Sequence, residues 1–285
     1  MTLTPREGLR IAPLNTYFIN LAGATDRRKA LEENFRTLAP VSAKLTRVEA
    51  VDGQFVQSRG LPGKIRASEI ACLLSHRKAI AASLEDAGHS LIVEDDALFG
   101  PSTFRLAPQL PQLFDQATDL VLLSALLGNF ADLVGTIFFH RALKQEGRIA
   151  AIDLATIPFS GADAYIVKRQ SKAKLLHLID QVKIHDVPYD LLLRQWVRSG
   201  ALRAVVAFPF LTMLSPMADK SANGNTNETM TTYLAFRRLL ALDSQYYPGD
   251  IMASIDGIDA SFYDKEATDL AKAFRCLLSS RFVFG

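Results

Sequence analysis

The stretch Ser90-Leu91-Ile92-Val93-Glu94-Asp95-Asp96 places a short apolar run directly before three carboxylates. A run of this length, with Gly88 before it and acids after it, predicts a buried strand rather than a helix. Three carboxylates at one strand end repel one another unless a cation compensates them, and hard oxygen ligands favour Mg²⁺ or Mn²⁺. Ligands of open α/β sheets bind outside the carboxyl ends of the strands, so a metal and ligand site is predicted here. The alternative is that these acids cap the next segment or form surface ion pairs.

Strand and helix patterns alternate on both sides of this stretch. Strands are predicted over residues 16–21, 44–51, 119–123, 149–156, 161–167 and 204–211. Helices are predicted over residues 25–38, capped by Thr25 or Asp26, over 69–87, capped by Ser68, and over 188–198, with another from about residue 170. Residues 54–66 and 215–232 read as loops, and two helices over 233–242 and 266–278 close the chain. This alternation predicts an α/β fold in which helices cover both faces of a mixed central sheet.

Composition excludes several classes of protein. The 285 residues are 49% hydrophobic and carry a formal net charge of +2, so the chain is globular and lacks the positive field of a nucleic-acid-binding protein. The two cysteines, Cys72 and Cys276, are too few for a disulfide framework or a cysteine-type zinc site. Arg6 and Glu7 interrupt the region where a secretory signal would need an apolar run, which predicts a cytoplasmic protein. The most apolar stretch, residues 120–139, contains Asn129 and Asp132 and is predicted to be core rather than a membrane span.

Four segments, in this order, resemble glycosyltransferase family 25, the lipopolysaccharide-biosynthesis type that is related to collagen galactosyltransferases. They are Ile19-Asn20-Leu21 followed by Asp26-Arg27-Arg28, then Val51-Asp52-Gly53, then residues 68–79, and finally residues 91–97. The resemblance implies one GT-A-like domain over residues 1–285, with C-terminal closing helices. Its nucleotide-binding half would span about residues 14–125, its acceptor half 126–232, and its C-terminal helices 233–285.

The resemblance also implies an activity. It is an inverting transfer of a hexose, galactose being favoured, from a UDP-sugar to a saccharide acceptor such as lipopolysaccharide, with Mn²⁺ or Mg²⁺ as cofactor. The metal ligands are expected to be Asp96 and Glu94. The residues expected at the nucleotide sugar are Asn20, Leu21, Arg27, Arg28, Asp52, Glu69, Ser75, His76, Glu94, Asp95 and Lys220. The general base is expected to be Asp190, with Asp163 second and Asp186 third.

Several of these residues also have a purely structural explanation. Asn20 and Asp52 are also common turn residues, and an acid such as Glu69 or Asp190 in a first helical turn is favoured by the helix dipole. Arg27 and Arg28 oppose that dipole, which indicates a compensating anion, either a diphosphate or a nearby acid. The polar residues 215–229, which include Lys220, read either as a lid over the diphosphate or as a connector.

Other functions compete with the transferase. One alternative is a non-catalytic protein of the same fold that binds a glycan or a partner. A second is a signalling receiver domain, which residues 91–98 also resemble, although Ser124 stands where that family has its phosphorylated aspartate. A third is a cysteine hydrolase using Cys72 and His76. Residues 265–284 mix basic and apolar side chains, so they pack on the core, on a second subunit of a homodimer, or on the inner membrane as a peripheral contact.

Overall fold

A mixed sheet of eight strands forms the centre of the part of the molecule that the computed structural model describes, namely residues 2–3, 13–128, 130–220 and 228–244. The strands of this sheet are β1 (Thr2–Leu3), β2 (Asn15–Asn20), β3 (Leu45–Glu49), β4 (Ser90–Glu94), β6 (Leu120–Leu122), β8 (Ile149–Asp153), β10 (Ala164–Val167) and β11 (Ala204–Phe208). Two short pairs lie outside it, β5 (Ala97–Phe99) with β12 (Thr212–Leu214), and β7 (Leu126–Leu127) with β9 (Phe159–Ser160).

Helices connect these strands. They are α1 (Thr25–Leu38), α2 (Gly53–Arg59), α3 (Ala67–Ala82), α4 (Thr103–Leu106), α5 (Leu110–Leu113), α6 (Phe130–Glu146), α7 (Lys172–Asp180), α8 (Tyr189–Arg198) and α9 (Glu228–Leu239). Short 3-10 turns follow at Ser83–Glu85, Ala107–Gln109, Arg169–Ser171 and Pro216–Lys220. None of the described helices is both long enough and apolar enough to cross a membrane.

The order of the strands is β1-β8-β11-β6-β10-β4-β2-β3. β2 pairs in parallel with both β3 and β4, whereas β10 runs antiparallel to β4 on one side and to β6 on the other. The carboxyl ends of β2, β3, β4 and β6 therefore meet the amino end of β10 at one edge of the sheet. This edge is where a ligand of an open α/β sheet is expected.

The central strand β4 is buried on both faces, which explains its continuous apolar run. Ile92 points toward the layer that contains Leu73 and Ile80 of α3. Its neighbours Leu91 and Val93 belong to the other layer, together with Leu31 of α1. Because successive side chains of a strand point to opposite faces, a run of three apolar residues anchors both layers at once and holds the following acids at the sheet edge.

The predicted α/β fold with a mixed sheet and flanking helices is confirmed, and most predicted strands and helices are found within a few residues. The predicted helix caps are wrong. Helix α1 begins after Ala24 without a side-chain cap, so Thr25 and Asp26 lie inside its first turn. Ser68 likewise lies inside α3, where Glu69 accepts hydrogen bonds from the backbone N of Arg66 at 2.8 Å and from its guanidinium at 3.1 Å.

Both predicted loops contain helices. Residues 54–66 include most of α2, which Asp52 caps by accepting a hydrogen bond from Gln54 N at 2.7 Å. Residues 215–232 include the turn Pro216–Lys220 and the start of α9, which begins and ends earlier than the predicted helix over 233–242. Helix α6 was not predicted, because its apolar and polar residues do not separate into a clear helical stripe. The predicted helix over 266–278 and the membrane or dimer contact of residues 265–284 lie outside the described residues.

Candidate active site

A cavity of about 320 Å³ opens at the carboxyl ends of β2 and β4. Two walls of different chemistry enclose it: one is apolar and comes from β2 and the segment after β3, and the other is polar and comes from α1, α3 and the acidic triplet. The lining residues are Ile19, Leu21, Ala24, Arg27, Ala50, Val51, Gly53, Ser68, Ala71, Cys72, Ser75, His76, Glu94, Asp95 and Asp96. A pocket with one apolar side and convergent charges on the other is typical of a binding site for an amphiphilic charged ligand.

Asp95 is the most firmly held member of the acidic triplet. It accepts a hydrogen bond from Asn20 Nδ2 at 2.7 Å and pairs with Arg27 Nη1 at 3.1 Å. Asn20 is oriented in turn by Arg47, whose Nε donates to Asn20 Oδ1 at 3.0 Å. Both oxygens of Asp95 therefore have partners, which leaves this carboxylate with the character of a structural anchor for the strand end.

Asp96 is held differently. Its side chain is only 16% exposed, and within the described residues its Oδ1 is buried without a hydrogen-bond partner. Arg27 approaches the other oxygen at 3.5 Å. Burial, followed by the charges of Glu94 and Asp163, raises the pKa of Asp96 to about 8. A buried carboxylate oxygen without a partner is costly, so Asp96 would gain strongly from a cation bound beside it.

Glu94 is tied to a buried aromatic network. His76 Nε2 lies 3.3 Å from Glu94 Oε1, and its Nδ1 lies 2.9 Å from Tyr165 Oη. Tyr165 Oη is 3.0 Å from Tyr189 Oη, and the ring of His76 stacks on Tyr189 with a centroid distance of 4.3 Å. Desolvation pushes the pKa of Glu94 upward, but the hydrogen bond with His76, together with nearby positive charges that include Arg237 and Arg27, outweighs it, so this pKa lies below its usual value. Glu94 is therefore an oriented anion.

A buried ion pair lies behind the triplet. Arg237 of α9 pairs with Asp163, and Ser124 Oγ donates to Asp163 Oδ2 at 2.9 Å. Arg237 Nη2 also donates to Ser124 Oγ at 2.8 Å. Gly161 makes room for this contact: it has a φ of +85°, and a Cβ there would stand 3.0 Å from the Arg237 guanidinium. Burial raises the pKa of Asp163 while Arg237 opposes the rise. The pair anchors α9 against the strands that carry the cavity.

The structure brings part of the predicted nucleotide site together. Leu21, Arg27, Ser75, His76, Glu94, Asp95 and Asp96 line the cavity, and Asn20 lies directly behind Asp95. Ser75 serves the backbone, since its Oγ accepts from Val51 N at 2.8 Å and donates to Ala71 O at 2.7 Å.

Other predicted site residues lie away from the acidic triplet at the end of β4. Arg28 pairs with Glu32 on an exposed face of α1 at 2.8 Å. Asp52 caps α2 and Glu69 caps α3, as described above. Lys220 ends the turn Pro216–Lys220, and its side chain lies outside the described part of the molecule. The same turn contacts the site through Met217, whose carbonyl accepts from Arg27 Nη2 at 2.9 Å.

The three candidate bases differ in their surroundings, and the described lining of the cavity includes none of them. Asp190 accepts hydrogen bonds from Gly161 N and Leu191 N, both at 2.9 Å. Burial, followed by the charges of Glu94 and Asp190, raises the pKa of the Cys72 thiol in the cavity wall. Asp163 is committed to Arg237. Asp186 accepts from Lys64 N at 2.9 Å in an exposed position.

Sequence reasoning missed five residues that organise the site. Tyr165 lies in the predicted strand 161–167 and Tyr189 at the start of the predicted helix 188–198, and these patterns assign no role to a particular side chain. Arg47, Ser124 and Arg237 carry no local signal, because their partners lie between 27 and 113 residues away along the chain.

One comparison with known proteins identifies a relationship. The family model described as Glycosyltransferase family 25 (LPS biosynthesis protein) matches residues 14–193, more than half of the chain. The match includes all the described lining residues of the cavity and ends before α9. No curated protein sequence matches the chain.

Proposed function

The chain belongs to glycosyltransferase family 25 and is a glycosyltransferase, and we propose that it transfers a hexose from a UDP-sugar to a saccharide acceptor with the help of Mn²⁺ or Mg²⁺. Galactose is the proposed sugar, and lipopolysaccharide or another surface glycan is the proposed acceptor. The mixed α/β fold is consistent with the GT-A-like architecture expected for such an enzyme. The observation that carries the proposal is the buried Oδ1 of Asp96 at the edge of the cavity, which has no hydrogen-bond partner in the part of the chain that the structure describes.

The residues present fit a hard divalent cation. Asp96 and Glu94 would hold it, because Asp96 supplies an oxygen without a hydrogen-bond partner among the described residues and Glu94 supplies an oriented carboxylate at the same strand end. Oxygen donors of this kind are the ligands that Mg²⁺ and Mn²⁺ prefer. When bound, the cation would supply positive charge that stabilises the diphosphate as it leaves the sugar.

The two walls of the cavity would bind different parts of the UDP-sugar donor. The apolar side, formed by Ile19, Leu21, Ala50 and Val51, suits the nucleoside. Arg27 stands on the other side and provides a guanidinium, the group that binds phosphate oxygens most specifically. Arg27 already reaches Asp95, Asp96 and the carbonyl of Met217, so a diphosphate that draws it away would also change the contact with the Pro216–Lys220 turn.

An inverting transfer also needs a base that takes the proton of the attacking hydroxyl on the face opposite the leaving group. We keep Asp190 as the first candidate, because the adjacent Tyr189 stacks on His76 of the cavity wall and the partners of Asp190 are backbone amides, which leave lone pairs for a further hydrogen bond. Asp163 is second because Arg237 neutralises it, and Asp186 is third because it is exposed.

Calorimetric titration with UDP, with and without Mn²⁺, tests the donor and metal site. Wild type is expected to bind UDP far more tightly with Mn²⁺, and Asp96→Asn is expected to lose that gain. The matched control is Asp180→Asn, which removes a surface carboxylate paired with Arg77 and should behave as wild type. Absence of metal-dependent UDP binding in wild type would refute the proposal.

A second experiment tests the sugar, the stereochemistry and the base. The protein is incubated with UDP-galactose, UDP-glucose or UDP-N-acetylglucosamine and a saccharide acceptor, and nuclear magnetic resonance reports the anomeric configuration of the product. UDP-galactose is expected to give the highest turnover, with inversion. Asp190→Asn is expected to lower kcat strongly while UDP affinity is retained, and turnover near that of wild type would remove Asp190 from the mechanism.

A further inference from the structure

We propose that Cys72, His76 and Glu94 form a second cation site in the same cavity, which takes a thiophilic divalent ion of the zinc class. Each of these residues offers one ligand atom, and the three atoms lie within 4.8 Å of one another. The site differs from the Glu94 and Asp96 pair in its ligands, since it combines sulfur, nitrogen and oxygen. Glu94 belongs to both.

The backbone places the three ligands on one side of the cavity. Cys72 and His76 are four residues apart on α3, and residues at this spacing lie one above the other on the same helix face. Glu94 ends β4, which packs beside that face. Ligands of a tetrahedral zinc ion stand about 3.3 to 3.8 Å apart, as follows from metal–ligand distances of about 2.0 to 2.3 Å. His76 Nε2 and Glu94 Oε1 already have this separation, at 3.3 Å. Cys72 Sγ lies within 4.8 Å of both other ligand atoms, so a movement of at most about 1 Å brings it to this separation.

The surroundings of His76 support a ligand role. A metal-binding histidine usually donates its second ring N–H to an oxygen, which fixes the tautomer and the ring orientation. His76 Nδ1 lies 2.9 Å from Tyr165 Oη, which is itself 3.0 Å from Tyr189 Oη. When the ion binds, His76 Nε2 gives up the proton that it shares with Glu94, and the ring proton lies on Nδ1, which donates to Tyr165. Nε2 then presents a lone pair to the ion. Stacking on Tyr189 prevents the ring from turning away.

The ligand chemistry selects the class of ion. A thiolate and an imidazole favour zinc-class ions, whereas Mg²⁺ and Mn²⁺ prefer oxygen. On binding, the Cys72 thiol loses its proton to solvent and its sulfur bonds the ion. Three protein ligands leave the fourth position open to the cavity, as in zinc sites that exchange an external ligand. A zinc-class ion that takes Glu94 removes it from the oxygen pair, so such an ion is expected to inhibit transfer; this consequence rests on the proposed function.

Cobalt binding to the full-length protein tests the site directly. Co²⁺ is expected to give a thiolate-to-cobalt charge-transfer band in wild type and in Cys276→Ser, the control that removes the other cysteine. Cys72→Ser and Cys72→Ala are expected to lack the band while keeping the circular dichroism spectrum and melting temperature of wild type. One equivalent of Zn²⁺ should abolish the band, and Tyr165→Phe should weaken Zn²⁺ binding by about 10-fold to 100-fold. No band in wild type, or a band that persists without Cys72, overturns the proposal.

Inhibition provides a separate measurement. In the galactosyl transfer assay, the Zn²⁺ concentration for half inhibition is expected to be at least about tenfold higher for Cys72→Ser than for Cys276→Ser, because the variant has lost a ligand. Equal sensitivity of the two variants would overturn the inhibitory role. The cobalt band does not depend on transfer, so a protein that binds Co²⁺ through Cys72 but transfers no sugar would refute the proposed function and leave the site standing.

Discussion

Replacement of Asp96 by Asn is expected to stabilise the metal-free protein, although the same change should abolish metal-dependent UDP binding. Asp96 is buried, its Oδ1 has no hydrogen-bond partner among the described residues, and the nearby acids Glu94 and Asp163 repel its charge. Asparagine has nearly the same shape and carries no charge, so it can be buried beside these acids without first taking up a proton. If the role of Asp96 were purely structural, its replacement would destabilise the protein, as most substitutions of buried residues do.

The size of the effect follows from proton linkage. Burial and the charges of Glu94 and Asp163 raise the pKa of Asp96 from 3.8 to about 8 in the folded protein. Between pH 3.8 and about pH 8 the unfolded chain has released the Asp96 proton and the folded chain has not. The free energy of unfolding therefore falls by about 1.4 kcal/mol per pH unit as pH rises. At pH 7 the accumulated cost is about 4 kcal/mol. The advantage of Asp96→Asn should therefore approach that value at pH 7 and shrink as pH falls toward 4.

Urea denaturation at pH 5, 6, 7 and 8 in the presence of a chelator measures this difference. The neighbouring carboxylate provides the matched control, because Asp95→Asn removes a charge that Asn20 and Arg27 satisfy and should destabilise by about 1 to 3 kcal/mol. Two adjacent and chemically identical substitutions are thus expected to have opposite signs. If Asp96→Asn destabilises as much as Asp95→Asn, with no dependence on pH, the Asp96 charge is already compensated and the argument for a cation there fails.

Three further predictions concern the surroundings of the cavity. Arg237→Met leaves Asp163 as an unpaired buried charge and should cost about 3 to 5 kcal/mol in urea denaturation at pH 8, whereas Arg77→Met, at an exposed ion pair, should cost under about 1 kcal/mol; equal losses would contradict this reasoning. His76→Phe removes the hydrogen bond that lowers the pKa of Glu94, so Mn²⁺-dependent UDP affinity, measured by calorimetry, should fall more at pH 6 than at pH 8. Because the pKa of Asp96 is about 8, Mn²⁺ affinity of wild type should fall about tenfold from pH 7 to pH 6, and titration in two buffers should detect release of about one proton per ion. A pH-independent affinity would contradict the last prediction.

Much of the fold was predictable because it depends on local patterns. The apolar run before Glu94 is too short for a helix and too uniformly apolar for a surface strand, so a central buried strand was the natural interpretation. Errors occurred at helix boundaries, where the competing signals are weak. Ser68 and Thr25 are good capping residues, but the chain entered each helix earlier and used them inside the first turn. Helix α2 was hidden because it is only seven residues long and lies between glycines.

The candidate site was predictable in its location and only partly in its members. The spacing of residues along the chain places three acids at the end of a buried strand and a histidine on the preceding helix, since both follow from short periodic patterns. Which acid keeps an unpartnered oxygen depends instead on distant side chains. Asn20 and Arg27 approach Asp95 from 75 and 68 residues away, and Arg237 reaches Asp163 across 74. Hydrogen bonding and charge compensation act through space. The difference between Asp95, which is held by partners, and Asp96, which is available to a cation, therefore arises only once the sheet has brought β2, β4 and β10 to a common edge.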